Sequence, residues 1–236
     1  MGGVKSTRKT GKSGRPIGFA RRDAVETAMN LVWKKGFLSV SVKELAEAMS
    51  IRRSSFYNTF GGREELFREV LAMYGTRTPD APLDHVRPGE PVVPVIVSVM
   101  RDLCRARAND GEARGCLVCN GLAELAEVEG ETGSLLAQTI RHRESVLERL
   151  LRQAVKQGDI PTLKDVRAAA KSFVSFLIGL NILSKVVRRE SDLWAACRQY
   201  LSALGFPRAA LNQPAADPAA PARRLRDVRR PGEGLK

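Results

Sequence analysis

Only two histidines and four cysteines occur among 236 residues, and both scarcities narrow what the chain can do. Hydrolytic and metal-assisted sites draw on clustered imidazole, carboxyl and thiol groups. Here His85 sits in a proline-rich stretch and His142 in an Arg/Glu-rich helical segment. The one nucleophile–base pair that can be assembled is Cys116 with His142, and no third group orients it. Neither an enzyme nor a resident cofactor is expected. The cysteines lie in helical patterns, not in the loop-rich frame of a small disulfide-stapled domain. They also fall short of a metal site, because Cys116 and Cys119 have no second close Cys/His pair to complete four ligands. The Cys-x-x-Cys pair lacks the βαβ surroundings of a thiol–disulfide oxidoreductase. Long apolar runs are missing as well. The longest, FVSFLIGLNILSKVV, is shorter than the roughly 18 residues that a membrane span needs, and Ser175, Asn181 and Ser184 interrupt it. The basic first residues contain no apolar segment of the signal-peptide kind, so a soluble, cytoplasmic protein with no membrane partner is expected.

Acidic residues are absent from residues 1–22, which hold seven Lys/Arg. Residues 23–206 hold 25 basic and 23 acidic residues, and residues 207–236 hold seven basic and three acidic. The net charge of +13 is thus concentrated in the two ends, beside a nearly neutral body. A basic arm next to a folded body suits nucleic acid or another anionic surface. A merely solubilising tail is the plainer alternative.

The hydrophobic fraction of 43% allows a core of ordinary size. Strand alternation and internal repeats are absent, and the chain reads as all-α. Residues 1–20 form a basic arm expected to be disordered. A helix is predicted over about 23–35, with Ala24, Ala28, Leu31 and Val32 on one face and Gly36 ending it. Ser41 and Glu44 make the Ser-x-x-Glu capping box of a second, short helix burying Leu45, Ala46 and Met49. A third is predicted from near Arg52 to Phe60, and a fourth from about 63 to 74. Residues 76–94 carry Pro79, Pro82, Pro88, Pro91 and Pro94 and read as a connection between an N-terminal unit, 21–75, and a second helical unit, 95–206. Helices are predicted there at about 95–108, 115–128, 134–157, 165–188 and 191–204. Residues 207–236 read as a disordered basic tail.

The stretch SIRRSSFYNTFGGREELF carries the functional signal. Phe56 and Phe60 are spaced i, i+4 and share one helix face. Arg52, Arg53, Ser55, Tyr57 and Asn58 lie elsewhere on the helix. One side is anchored and the other is dense in hydrogen-bonding groups. Two helices at 42–49 and 52–60, joined by a short turn, have the dimensions of a helix-turn-helix. Its second helix can enter a major groove, where Arg bridges guanine O6/N7, Asn bridges adenine N6/N7, and Ser donates or accepts. Ser41, Tyr57 and Arg63 suit phosphates.

AMNLVWKKGFLSVSVKELAEAMSIRRSSFYNTFGGREELFREVLAMY resembles the DNA-binding domain of TetR-family repressors. The resemblance rests on Lys-Gly-Phe ending helix 1, Ser-Val opening helix 2, Leu-Ala within it, and Ser-Phe-Tyr-x-x-Phe-Gly followed by Glu-Glu-Leu-Phe. It is dense over about 14–75 and looser but in order over about 95–205. Gly14-Arg15-Pro16, Trp33 before KKGF, and a Gly-Cys opening the sixth helix resemble one branch of that family. Three positions depart from the pattern. Ser50 stands where the turn usually has Gly, Gly62 where a better cap is common, and Arg63 where Lys is usual.

The resemblance implies a palindromic double-stranded DNA operator, with Arg52, Arg53, Ser55 and Asn58 toward bases and Ser41, Tyr57 and Arg63 on phosphates. It implies that Arg15 enters a minor groove, with non-specific phosphate attraction the equal alternative. It also implies a homodimer formed through the last two helices. The apolar character of 165–188 and 191–204 agrees, and Phe173, Leu177, Leu180, Leu193, Trp194, Cys197, Tyr200 and Leu201 are the candidate interface, an internal core being the alternative. The family usually binds a small ligand in the second domain. The candidates here are Met100, Leu103, Cys104, Cys116, Leu117, Asn120, Phe173, Phe176 and Asn181. Cys116 resembles the sensing cysteine of electrophile- and oxidant-responsive members. A helix start and Arg114 nearby would favour its thiolate, with Cys119 or Cys104 as resolving thiol. The alternative is a small buried hydrophobe.

Overall fold

The computed structural model describes residues 17–125 and 131–213. Arg15, the rest of the basic arm through residue 16, and the tail beyond residue 213 lie outside the described residues. All regular structure among the described residues is helical: α1 (Ile17–Lys35), α2 (Val42–Ala48), α3 (Arg53–Phe60), α4 (Arg63–Arg77), a 3-10 turn (Ala81–His85), α5 (Val92–Asn109), α6 (Leu117–Leu125), α7 (Glu131–Gln157), α8 (Val166–Leu183), α9 (Glu190–Ala203) and α10 (Arg208–Asn212).

Helices α1–α4 build a head around Ala28, Val32, Phe37, Leu45, Phe56, Leu66 and Val70. Phe37 meets Phe67 edge-on at 4.8 Å. Helices α5, α7, α8 and α9 build a second core around Ile96, Met100, Leu147, Leu150, Phe173, Leu193 and Leu201. Helix α6 joins the two parts. Its Leu117 and Leu125, with Leu136 of α7, are buried in the core of the head.

Three boundaries and one helix's apolar length depart from expectation. Helix α1 begins at Ile17, so residues 17–20 are helical where disorder was predicted. Helix α5 begins at Val92 and holds Pro94 in its first turn, where a missing N–H costs no helical bond. Residues 208–212 of the supposed tail form α10. Leu211 is buried there, and its carbonyl accepts from Arg101 Nη2 at 2.8 Å. Finally, α8 is 18 residues long with mean hydropathy 1.4, enough by length and composition alone to cross a membrane. The sequence reading missed this because it began the apolar run at Phe173, beyond Ala168, Ala169 and Ala170. Helix α8 carries Arg167 and Lys171, and one face packs into the second core.

Candidate nucleic-acid interface and regulatory cavity

Helix α2 opens on a complete capping box. The Ser41 hydroxyl accepts from the Glu44 N–H at 3.2 Å, and Glu44 Oε2 accepts from the Ser41 N–H at 2.9 Å. That backbone bond, then Lys35 and the Ser41 hydroxyl, hold the Glu44 carboxyl down at about 2. Ser41 therefore spends its hydroxyl on the helix start while remaining exposed. Met49 and Ser50 turn the chain, with Ser50 in the left-handed region at φ 56°. Helix α3 then presents two contrasting sides. Phe56 and Phe60 are buried, whereas Arg52, Arg53, Ser54, Ser55, Tyr57 and Asn58 are exposed. Among the described residues neither Arg52 nor Arg53 has a carboxylate within ion-pair distance.

The far end of α3 is clamped from α1. Arg21 donates through Nη1 to the Thr59 carbonyl at 2.6 Å and through Nε and Nη2 to the Glu69 carboxylate at 3.1 and 2.6 Å. Its guanidinium lies 5.1 Å from the Phe60 ring. Arg63 is placed differently from expectation. Its Nη2 donates to the Phe37 carbonyl and its guanidinium covers the Phe67 ring, so its charge is turned toward the head.

A cavity of about 190 Å3 lies where α4, α5, α6, α7 and α8 meet. Arg107 of α5 projects into it, only 4% exposed. Its Nε donates to Asn181 Oδ1 at 2.7 Å and its Nη2 to the Tyr74 hydroxyl at 3.1 Å. Asn181 in turn donates to the Leu177 carbonyl at 2.8 Å. Among the described residues no carboxylate reaches Arg107 within ion-pair distance. Burial opposes the Arg107 charge, but Tyr74 and Cys116 beside it raise its pKa above the ordinary value.

Cys116 lines the same cavity, half-buried, with Cys119. A hydrogen bond from the Cys119 thiol favours the Cys116 thiolate, burial opposes it, and the Arg107 cation and Tyr74 hydroxyl add to the first effect. Together they bring the Cys116 pKa down to about 6. Cys119, which donates that bond and is buried, is pushed up. At another part of the wall, Arg143 pairs with Asp80 at 3.0 Å and with Asp84 at 3.2 Å. His142 Nε2 lies 2.9 Å from Asp84 Oδ1, so its ring is engaged by a carboxylate on the 3-10 turn.

The sequence candidates for this cavity divide. Leu103, Cys116 and Asn181 line it. Met100 and Leu117 are instead buried in the second core and the head core. Cys104 faces Cys197, with the sulfurs 3.4 Å apart, so it is not placed to resolve Cys116. Asn120 donates to the Arg114 carbonyl at 2.8 Å, away from the cavity. Phe173 and Phe176 pack on Tyr200, the latter stacked at 4.2 Å. Arg107, Tyr74, Asp80 and Arg143 were missed. A signal for Arg107 existed, since it continues the buried register Ile96, Met100, Leu103.

Comparisons with known proteins agree with this geometry. Residues 24–70 match the bacterial regulatory proteins of the tetR family, and residues 93–200 match the tetracyclin repressor-like C-terminal domain. The solved structure of the TetR-family regulator CifR, a double cysteine mutant bound to 26-bp operator DNA, is 30% identical. It superposes with a TM-score of 0.65 over 80% of this chain and 99% of that one. The chain belongs to the TetR family of transcriptional regulators. It is 36% identical over 110 residues to the Escherichia coli repressor BdcR, spanning 46% of this chain but only 55% of BdcR. It is 29% identical over 176 residues to the E. coli repressor ComR, spanning 73% of this chain and 82% of that one. The family is one of DNA-binding, non-enzymatic regulators.

In this TetR-family fold the cavity is wired to the head by short contacts. Trp33 of α1 donates through Nε1 to the carbonyl of Gly115, the residue before Cys116, at 3.2 Å. The Arg114 guanidinium covers the Trp33 ring at 4.1 Å, and Tyr74 meets that ring edge-on at 5.1 Å. One turn along α6, Gly121 seats Phe37, and Glu124 Oε2 accepts from the Leu38 N–H at 3.1 Å.

Most of the expected dimer residues are turned inward, as the alternative of an internal core has it, and Tyr200 stays half-buried. Phe173, Leu177, Leu180, Leu193, Cys197 and Leu201 are buried within the single chain. Trp194 is half-buried under Arg101, 3.9 Å from the ring. A helix apolar on most faces does not reveal which face turns inward. The open face of α8 carries Phe176, half-buried, then Gly179, and then Ile182 and Leu183, 45% and 42% exposed, and Val186 in the turn just after the helix is 77% exposed.

Proposed function

We propose that the chain is a transcriptional repressor that binds a palindromic operator as a homodimer in the cytoplasm and is released when Cys116 is modified or a small molecule fills the adjoining cavity. The carrying observation is α3: an exposed row of Arg52, Arg53, Ser55 and Asn58 opposite a pair of buried phenylalanines. Those side chains read base edges, and Tyr57 and Ser41 contact the phosphate backbone. Arg63 reaches a phosphate only by leaving the Phe37 carbonyl. Residues 21–75 then act as the DNA-binding domain, 76–94 as the connection and 95–206 as the regulatory and dimerisation domain. Arg15 supplies the minor-groove contact of the branch that carries a Gly-Arg-Pro arm and a Gly-Cys at helix six.

The apolar open face of α8, with Tyr200 of α9 beside it, supports a two-fold interface there. The thiol reading is supported by the lowered pKa of Cys116 and by its place beside Gly115, which Trp33 holds. Footprinting on the chain's own upstream DNA, with excess random competitor, tests the proposal. A protected two-fold site that survives competitor, and is lost after N-ethylmaleimide treatment, is expected. Diffuse protection that competitor removes would overturn it.

A further inference from the structure

Among the described residues, Arg107 is buried with no carboxylate within ion-pair distance. Its hydrogen-bond partners, the Asn181 amide and Tyr74 hydroxyl, are neutral. The cavity's carboxylates are engaged elsewhere. Asp80 accepts from Thr78 at 2.6 Å and pairs with Arg143, while Asp84 is shared by Arg143 and His142. A buried cation with no anion is strongly unfavourable. Asp80 acts on Arg107 from beyond ion-pair distance, being held by Thr78 and Arg143; the group on this wall that can supply negative charge beside Arg107 and is not already paired with another cation is the thiol of Cys116.

We propose that the Cys116 thiolate is the counter-ion of the buried Arg107 guanidinium, and that loss of this negative charge, not the bulk of the attached group, releases DNA. This rests on the thiol reading above. The charge acts through named contacts. Arg107 holds Tyr74 of α4, Tyr74 meets Trp33 of α1, and Trp33 holds Gly115 next to Cys116. Once the anion is gone, the guanidinium must leave its amide and hydroxyl partners or draw in water or another anion, and either outcome disturbs Tyr74 at the junction with the head. The effector class follows. Electrophiles that leave a neutral adduct release the protein, whereas a modification that keeps a negative charge at this position, such as a sulfinate, does not.

Two reagents of nearly equal size separate charge from bulk. With iodoacetamide the thiolate sulfur attacks the methylene carbon, the S–C bond forms as the C–I bond breaks, and iodide leaves with the bonding pair. The anionic sulfur becomes a neutral thioether. Iodoacetate makes and breaks the same bonds, but its adduct carries a carboxylate. The full chain is modified with each reagent, peptide mass spectrometry verifies the adduct at Cys116 alone, and binding to the footprinted duplex is titrated. The neutral adduct is expected to weaken binding on the order of tenfold or more, and the anionic adduct by less than about threefold. Equal release by both adducts would overturn the charge inference and leave thiol sensing standing. No release by either would overturn both. Cys116→Ser removes the thiolate without adding bulk, so untreated Cys116→Ser protein is expected to bind operator about as weakly as the neutral adduct does, and parent-like binding by it would also overturn the assignment.

Discussion

Gly121→Ala tests the seam between α6 and the head. A Cβ at this position would lie 2.6 Å from Phe37 Cε2, 2.9 Å from Cδ2 and 3.1 Å from Leu136 Cδ1. Carbon atoms pack at about 3.5–4.0 Å, so the shortest contact falls short by about 1 Å. Phe37 is fully buried and set edge-on against Phe67, so its ring has no free direction. The helices must part instead, stretching the Leu38 N–H bond to Glu124. Overpacking of this kind costs about 1–3 kcal/mol, or roughly 2–12 °C of melting temperature for a chain of this size. The expected result in differential scanning calorimetry is a clear fall in Tm. Gly75→Ala, where an added Cβ meets nothing within 4 Å, should instead gain about 0.5–1 kcal/mol. Operator binding by Gly121→Ala should also weaken severalfold, although every reading side chain is intact. A Gly121→Ala protein that melts at or above the parent temperature and binds DNA normally would refute the reasoning that this seam holds the head.

Four further outcomes follow. The rate of Cys116 alkylation should rise with pH through a midpoint near 6 and level off above neutrality, whereas an ordinary thiol keeps gaining up to about pH 9. Because the folded value is depressed, the thiolate's contribution to stability is complete above the unfolded thiol's pKa and lost as pH falls through about 6. The stability gap between parent and Cys116→Ser should therefore narrow from pH 9 to pH 5 in urea melts. Ser50→Gly relieves a left-handed backbone at φ 56° and should raise stability by up to about 1 kcal/mol; a loss would mean that the serine side chain has a role of its own. Ile182→Asp combined with Val186→Asp should give monomers in sedimentation velocity and abolish operator binding. A dimer that persists would move the interface off α8.

Much of the head was legible because its signals are local. The Phe56–Phe60 spacing, the Ser41–Glu44 capping box and the Gly36 stop each act within a few residues, and each holds in the fold. What stayed hidden depends on partners distant in sequence. Arg107 continues the buried register of α5, but its partners, Tyr74 and Asn181, are 33 and 74 residues away and only the fold closes them around it. Arg63 looks free until the Phe37 carbonyl takes it. Helix α8 is apolar on most faces, so its inward and outward residues could be separated only once α7 and α9 were in place. Helix α10 rests on one buried leucine, too weak a signal to set against its Pro/Ala-rich surroundings.

The most direct test of the account is the ratio of operator to random-duplex affinity at physiological salt, measured for the parent and for an Arg52→Ala, Arg53→Ala, Asn58→Ala triple variant by fluorescence anisotropy. The exposed side of α3 predicts a parent ratio of about a thousandfold or more, falling toward unity in the variant while random-duplex binding weakens much less. Equal affinity of the parent for both duplexes, with a steep salt dependence, would contradict sequence-specific recognition and leave a protein that binds DNA through charge alone.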